Sequence, residues 1–533
     1  MKKILVFLLA AMLLATASFA MAEGQVFNFA YTNDLTSLDV SQINDEMSGL
    51  TQYAVNEGLV RSVNGVTKNA LAETIDVSED GRTYTFHLRD ANWADGKPVT
   101  AGEFVYSFLR TMDPATGSSQ VEDFADIAGA IDYYSGNTTD KETVGVKALD
   151  DKTLVIELVA ANPFFLETLS RGVNFYPIRQ DYVEKYGADY GSSPETFIGC
   201  GPFVLTEWVK TSSLKYAKNE AYWDAASIAL DEVNQLIIAD ENTSIGMYDA
   251  GDVDSLYGIS KTYAVLYPEY GTYTADSIQY LCFMTDETSI LNNKNLRLAL
   301  AYGIDRATIA NAVCQAGTQV TDRMITDVYM YGETNIASAY NAYAGIPAGG
   351  DLEKAKEYLA AALAELGYSD VSELPAIRYV AMESAAHQNM AQALQAQWQQ
   401  NLGVKVELDV RPVMQAIVGG LLAGDFDVYL VSVSMDVDPA TNLNGFTTES
   451  ADNYAHWMNE EYSKLINEAR FEEDFDVRFT KLAQAENLIL SDAAVVPLWV
   501  PGGAYVAADY VENLNYGPWT GSMEFIYANV NNK

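Results

Sequence analysis

Three histidines, at 87, 387 and 456, and three cysteines, at 200, 282 and 314, are all the residues of those two types in 533. No spacing groups them into a metal-ligand set, and no C-x-x-C occurs. His87 alternates with Thr83, Thr85 and Arg89 along a strand pattern, which predicts a solvated ring; His456, beside Trp457, is expected to pack. An odd cysteine count leaves at least one free thiol, and each is expected to be buried and inert. The chain has no G-x-S-x-G, no H-E-x-x-H, no phosphate-binding P-loop and no G-x-G-x-x-G after a strand. Asp76 to Gly81 resembles the start of a calcium loop, but its twelfth position is His87 rather than a bidentate Glu, so it reads as a turn. Paired carboxylates carry little information in so acidic a chain. Without a nucleophile–base pair or a metal cluster, catalysis, for instance by an exported peptidase, is not expected, nor is a metal or cofactor.

The charge balance narrows the partners. With 73 Asp and Glu against 32 Lys and Arg, the net charge is -41. No basic run offers the phosphate neutralisation that nucleic acid requires. At roughly 100–200 residues per domain, the length predicts about three domains. The first residues read as an address: Lys2 and Lys3, an apolar run of 11 residues from Ile4 to Leu14, then Ala20-Met21-Ala22. A cut after Ala22 is expected, with no cysteine there to carry a lipid. That apolar run is too short to span a bilayer, so a soluble protein outside the cytoplasm, without a stable membrane anchor, is expected.

The elements that would position any site alternate irregularly. Ile75 to Arg89 reads as a hairpin turning at Glu79-Asp80-Gly81, with Tyr84, Phe86 and Leu88 on the buried face. Thr100 and Glu103 form a capping box for a helix Ala101 to Arg110. Asp351 caps a helix with Leu352, Ala355, Leu359, Ala362, Leu363 and Leu366 on one face, closed by Gly367. A helix from about Ala385 to Asn401 leads to a strand Val404 to Val410, and Gly424-Asp425 precedes a strand Phe426 to Val433. The chain then turns through Asp436-Val437-Asp438-Pro439.

Several stretches carry a resemblance. Val77 to Gly81 through Thr83 to Arg89, Trp93 to Thr100, Phe104 to Phe108, Arg110 to Pro114, Gly145 to Asp151, Gly199 to Phe203, Lys218 to Asp224, Leu300 to Arg306 and Asn401 to Val404 recur in order. Together they resemble the family-5 extracellular solute-binding proteins of ABC importers, the oligopeptide-, dipeptide- and nickel-binding proteins, with the oligopeptide branch nearest. The resemblance covers nearly the whole mature chain. It implies an α/β, two-lobed periplasmic-binding-protein fold of type II, in its three-domain oligopeptide-binder variant, closing about a two-stranded hinge. A first lobe would comprise 23–62, 178–272 and 495–533, an extra domain 63–177, and a second lobe 273–494. The implied function is a monomeric receptor, periplasmic or at the cell surface, that hands oligopeptides to permease and ATPase subunits. A dipeptide, nickel chelate, haem or signalling peptide remains open as the ligand.

The resemblance also implies a site. Asp436 matches the carboxylate that holds the peptide ammonium, and an ammonium sealed between lobes must be paired. Main-chain groups of Ser432, Val433 and Ser434 would pair with the peptide as an added strand. His387 matches a histidine used at the carboxylate end, while Leu430, Leu421 and Cys314 stand where enteric oligopeptide binders carry basic residues. Glu287, Tyr106 and Tyr280 match positions near the cleft, with a structural role equally open. Cys282 matches one half of a family disulfide whose other half would be Ser434, so it is expected to be a free thiol.

Overall fold

Hydrophobic alternation in the first hundred residues is realised as a hairpin. A computed structural model describes residues 24–516, 523–531 and 533; the expected leader and its cut lie outside the described residues. Strands Ala72–Val77 and Thr83–Leu88 pair antiparallel, with Val77 opposite Tyr84. Gly81 takes φ +67° in the turn, a conformation glycine adopts without Cβ strain. Thr100 opens the helix Ala101–Met112 with the expected capping box. The Glu103 carboxylate accepts from the Thr100 amide at 2.9 Å and from the buried Trp93 indole at 3.0 Å, so the cap also ties the helix to its core. Strands Thr153–Glu157 and Val146–Asp150 complete a four-stranded sheet. His87 is half-exposed beside Asp76, as its alternation predicts.

Two larger sheets carry the rest. A seven-stranded sheet runs, in spatial order, Gly271–Thr274, Gly502–Ala507, Ser255–Ile259, Val26–Tyr31, Glu232–Ile237, Ser213–Lys218 and Phe203–Val209. A six-stranded sheet runs Gln319–Val320, Val495–Val500, Ser277–Phe283, Val428–Ser434, Ile377–Met382 and Val406–Arg411. The helices expected around the latter are present as Leu352–Leu366 and Ala385–Leu402, ended by Gly367 and Gly403 in left-handed conformations. Leu352 differs from expectation in being exposed: of the first turn's apolar positions only Ala355 reaches the core.

The six-stranded sheet is covered on both faces. Alternate residues of a strand point to opposite sides, so Ile278, Tyr280 and Cys282 enter one core with Tyr429 and Val431. Leu281 and Phe283 enter the other with Val428, Leu430 and Trp398. The register agrees with the expectation of a free thiol at Cys282. Cys282 lies opposite Tyr429, whereas Ser434 lies opposite Ser277 at the other end of the ladder, so those two positions could not be bridged. All three cysteines are free; Cys200 and Cys282 are buried and Cys314 is half-buried. His456 also departs from expectation. It takes φ +51° and lies half-exposed 2.9 Å from Asp286, while Trp457 takes the core position.

The chain passes between the two large sheets at adjacent points. Gly271–Thr274 belongs to one sheet and Ser277–Phe283 to the other, and likewise Gly502–Ala507 and Val495–Val500. The Ala275 amide donates to the Pro501 carbonyl at 2.8 Å, tying the two crossings together. At the second crossing the change of sheet falls at Pro501, since Val495–Val500 pairs with Ser277–Phe283 and is buried at every position. Gly502 has no room for a side chain: a Cβ there would lie 2.1 Å from the Gly317 carbonyl carbon.

Beneath the six-stranded sheet, Glu486 is fully buried on the helix Phe475–Ser491 and accepts from Arg323 Nε and the Ile325 amide, each at 2.7 Å. Arg323→Ala would leave that carboxylate buried without its cation. It is expected to destabilise this part of the molecule by about 3–5 kcal/mol, read as a lower urea midpoint, and Glu486→Leu in the same chain should restore much of the loss.

Candidate functional site

Two cavities flank the crossing. The larger, about 420 Å³, gathers residues from segments far apart in the chain: Asp45 to Tyr53, Gln120 and Asp123, Thr168 to Phe175, Asp276 at the crossing, and Met435 to Val437. Its size is within the roughly 300–1,000 Å³ of sites that hold small ligands. The smaller, about 170 Å³, is lined by Gln279, Cys314, Gln315, His387, Leu430 and Trp499 among others, and reaches Pro501 and Gly502. Both lie beside strand Val428–Ser434, with Leu430 at one and Asp436 just past the strand's end at the other. Six residues of extended chain separate them, roughly 20 Å.

One edge of that strand is partly open. Along its length Val428–Ser434 pairs with Ser277–Phe283, but on the other side only Val428 and Tyr429 pair with Ile377–Met382. Among the described residues no strand pairs the outer edge from Val431 to Ser434. Ser432 and Ser434 are exposed there and Val433 half-exposed.

The turn after the strand is held from below. The Asn442 side chain accepts from the Asp436 amide at 2.8 Å and donates to the Ser434 carbonyl at 2.8 Å, and the Tyr329 hydroxyl donates to it at 2.9 Å. The Asp438 amide donates to the Asp436 carboxylate at 3.0 Å, and the Asp438 carboxylate pairs with the buried Arg478 guanidinium. Asp436 is reached by solvent through the cavity but walled by protein elsewhere, and this burial pushes its carboxyl above the usual range. Burial acts the same way on Glu46 and Asp276. Asp123, which accepts from Asn174 at 2.9 Å, is pushed up to about 6, first by burial and then by the charge of Asp436. The same burial lowers the Arg171 guanidinium to about 10 against the pull of Glu167, Tyr53 and Asp436.

Of the residues singled out in the sequence, Asp436 lines the larger cavity and His387, Cys314 and Leu430 the smaller. His387 is half-buried, its Nδ1 2.7 Å from the helix-capping Ser384 hydroxyl, and burial lowers its pKa. Burial raises the Cys314 thiol to about 11. Four other positions line neither cavity. Tyr280 is a core residue, edge-on to Phe446 at 5.6 Å. Tyr106 is half-buried against the core around Phe27, Phe29 and Tyr216. Glu287 is exposed in the loop beyond Phe283, at the end of the strand remote from Asp436. Leu421 is buried in the core. Sequence reasoning missed Glu46, Asp123, Arg171 and Asp276, since no local pattern links segments that meet only in the fold.

The family model for bacterial extracellular solute-binding proteins, family 5 middle, matches residues 67–454. The chain belongs to this family. It is 30% identical over 499 residues to the oligopeptide-binding protein OppA of Bacillus subtilis, covering 92% of this chain and 90% of that one. The open, unliganded form of the murein tripeptide-binding protein MppA superposes with a TM-score of 0.79 at 27% identity, covering 94% of this chain and 97% of that one. Listeria monocytogenes OppA bound to peptide superposes at 0.72 with 26% identity, covering 96% and 100%. These family-5 neighbours have the two-lobed fold, and this chain shares it.

The raised pKa of Asp123 carries a stability consequence. An unfolded Asp titrates near 3.9, so the folded form binds the proton more tightly. The group therefore favours folding below about pH 4, and that contribution is lost as pH rises through 6. Asp123→Asn is expected to raise the melting temperature relative to the unsubstituted protein at pH 8 and to leave little difference at pH 4, measured by calorimetry at both.

Proposed function

We propose that this protein is the extracytoplasmic receptor of an ABC importer, capturing oligopeptides between its lobes and passing them to permease and ATPase subunits. The observation that carries the reading is the partly open edge of strand Val428–Ser434 running into Asp436. A peptide laid along that edge would use the unpaired main-chain groups near Ser432, Val433 and Ser434, giving affinity independent of its side chains. Its ammonium would meet Asp436, and about 20 Å further on its other end would reach the uncharged cavity of His387. Relatives named for peptide binding support the ligand class.

The remaining parts fit the same role. Export after cleavage near Ala22 would place the receptor outside the cytoplasm, and among the described residues no helix is long and apolar enough to cross a membrane. Three domains are proposed: a small inserted one built on the four-stranded sheet and two lobes built on the larger sheets, joined at Ala275–Asp276 and Pro501. Ligand-driven closure about these crossings would shift an open–closed equilibrium through tighter binding to the closed form.

Calorimetric titration with penta- and hexapeptides tests the reading. Free-amine peptides are expected to bind, and Asp436→Asn to weaken them tenfold or more, the scale of losing one member of a buried charge pair. The same peptides N-acetylated should bind weakly to both proteins. Equal loss for free and acetylated peptides would remove the role of Asp436, and binding of no peptide would remove the ligand class.

A further inference from the structure

The two cavities differ in charge. Asp45, Glu46, Asp123, Asp276 and Asp436 line the larger, and Arg171 is the only Lys, Arg or His among its lining residues. The smaller is lined by no Asp, Glu, Lys or Arg, and its one titratable base, His387, has its pKa lowered by burial. The carboxylates come from all three parts of the molecule: the start of the helix Glu46–Val55, the short helix Val121–Phe124 of the inserted domain, the crossing itself, and the turn after Ser434. They are therefore brought together by the cleft and do not belong to one acidic surface element.

Their hydrogen-bond partners do not neutralise them. Asp45 caps its helix at the Ser48 amide, 2.8 Å away. Asp123 accepts from an amide side chain and Asp436 from a backbone amide. A peptide ammonium together with Arg171 supplies two positive charges against five carboxylates. Water screens the remainder while the cleft is open, but closing the lobes removes water and strengthens the repulsion among charges left unbalanced. Burial pushes Asp123, Glu46, Asp276 and Asp436 up, and repulsion within the cavity adds to it for Asp123, from Asp436, and for Glu46, from Asp276 and Asp45.

We infer that the cleft selects oligopeptides carrying a Lys or Arg side chain within their first few residues, so that a second cation joins the terminal ammonium among Glu46, Asp123, Asp276 and Asp436. This rests on the receptor reading above and specifies its substrate class. At the far end the uncharged cavity adds no cation for a peptide carboxylate, so the charge preference of the whole cleft is set at the amino end.

A matched pentapeptide series tests it on the unsubstituted protein. Lys is placed in turn at positions one, two and three, with Nε-acetyllysine and norleucine at the same position as controls, all with free amino termini, at pH 7.5 and low salt. At one position or more the Lys peptide is expected to bind at least tenfold tighter than its Nε-acetyl counterpart, with the gap narrowing in 0.5 M salt and in Asp123→Asn. Binding of all three peptides within twofold at every position would overturn the cation preference while leaving the receptor reading standing. Binding of none would overturn both. A tenfold preference that persists undiminished in Asp123→Asn and in Glu46→Gln would also overturn it, since the preference would then arise outside this cavity.

Discussion

The two backbone crossings between the large sheets are the constraint on which the rest depends. Each passes from one sheet to the other within one or two residues, and the Ala275–Pro501 hydrogen bond ties them side by side. Because Ser277–Phe283 and Val495–Val500 continue directly into the six-stranded sheet, the crossing fixes where that sheet begins. Val428–Ser434 pairs with Ser277–Phe283, so its open end, and Asp436 beyond it, are delivered to the crossing between the sheets. The lack of room at Gly502 shows how closely the chains approach there.

Two kinds of carboxylate meet near that junction. Carboxylates are normally left to water or paired with cations. Here Asp123 and Asp436 line one cavity open to solvent, and the protein around it raises both carboxyls, Asp123 also through the charge of Asp436. Elsewhere the same chain pairs its buried acids: Glu486 with Arg323, Asp438 with Arg478, and Asp39 with Arg110. The contrast separates carboxylates enclosed and paired within the protein from those that open onto the cavity. Asp436 and Asp438 show it two residues apart, one turned to the cavity and one locked beneath it.

Much of the local architecture was legible before folding. The hairpin at Gly81, the capping box at Thr100 and Glu103, and the helices closed by Gly367 and Gly403 follow from turn chemistry and periodicity that act over a few residues. The site was legible in part. Asp436, His387, Cys314 and Leu430 reach the cavities, whereas Tyr280, Tyr106, Leu421 and Glu287 do not. Tyr280 was left open between cleft and core for a simple reason: in a sheet covered on both faces, alternation no longer separates the two, and a tyrosine suits either. Cys282 was matched to Ser434 without a register, and register is a property of paired strands rather than of either strand alone.

By itself the sequence determined the element types, the family and the strongly acidic balance, because propensity, capping and motif order are local or additive properties. Only the tertiary structure decided which carboxylates share a cavity. Asp45, Glu46, Asp123, Asp276 and Asp436 lie in four separate segments, and long-range strand pairing and domain packing set the distances between them. A net charge counts charges wherever they are. The field in a cleft depends on separation and on the water removed between them, and both quantities come into existence with the fold.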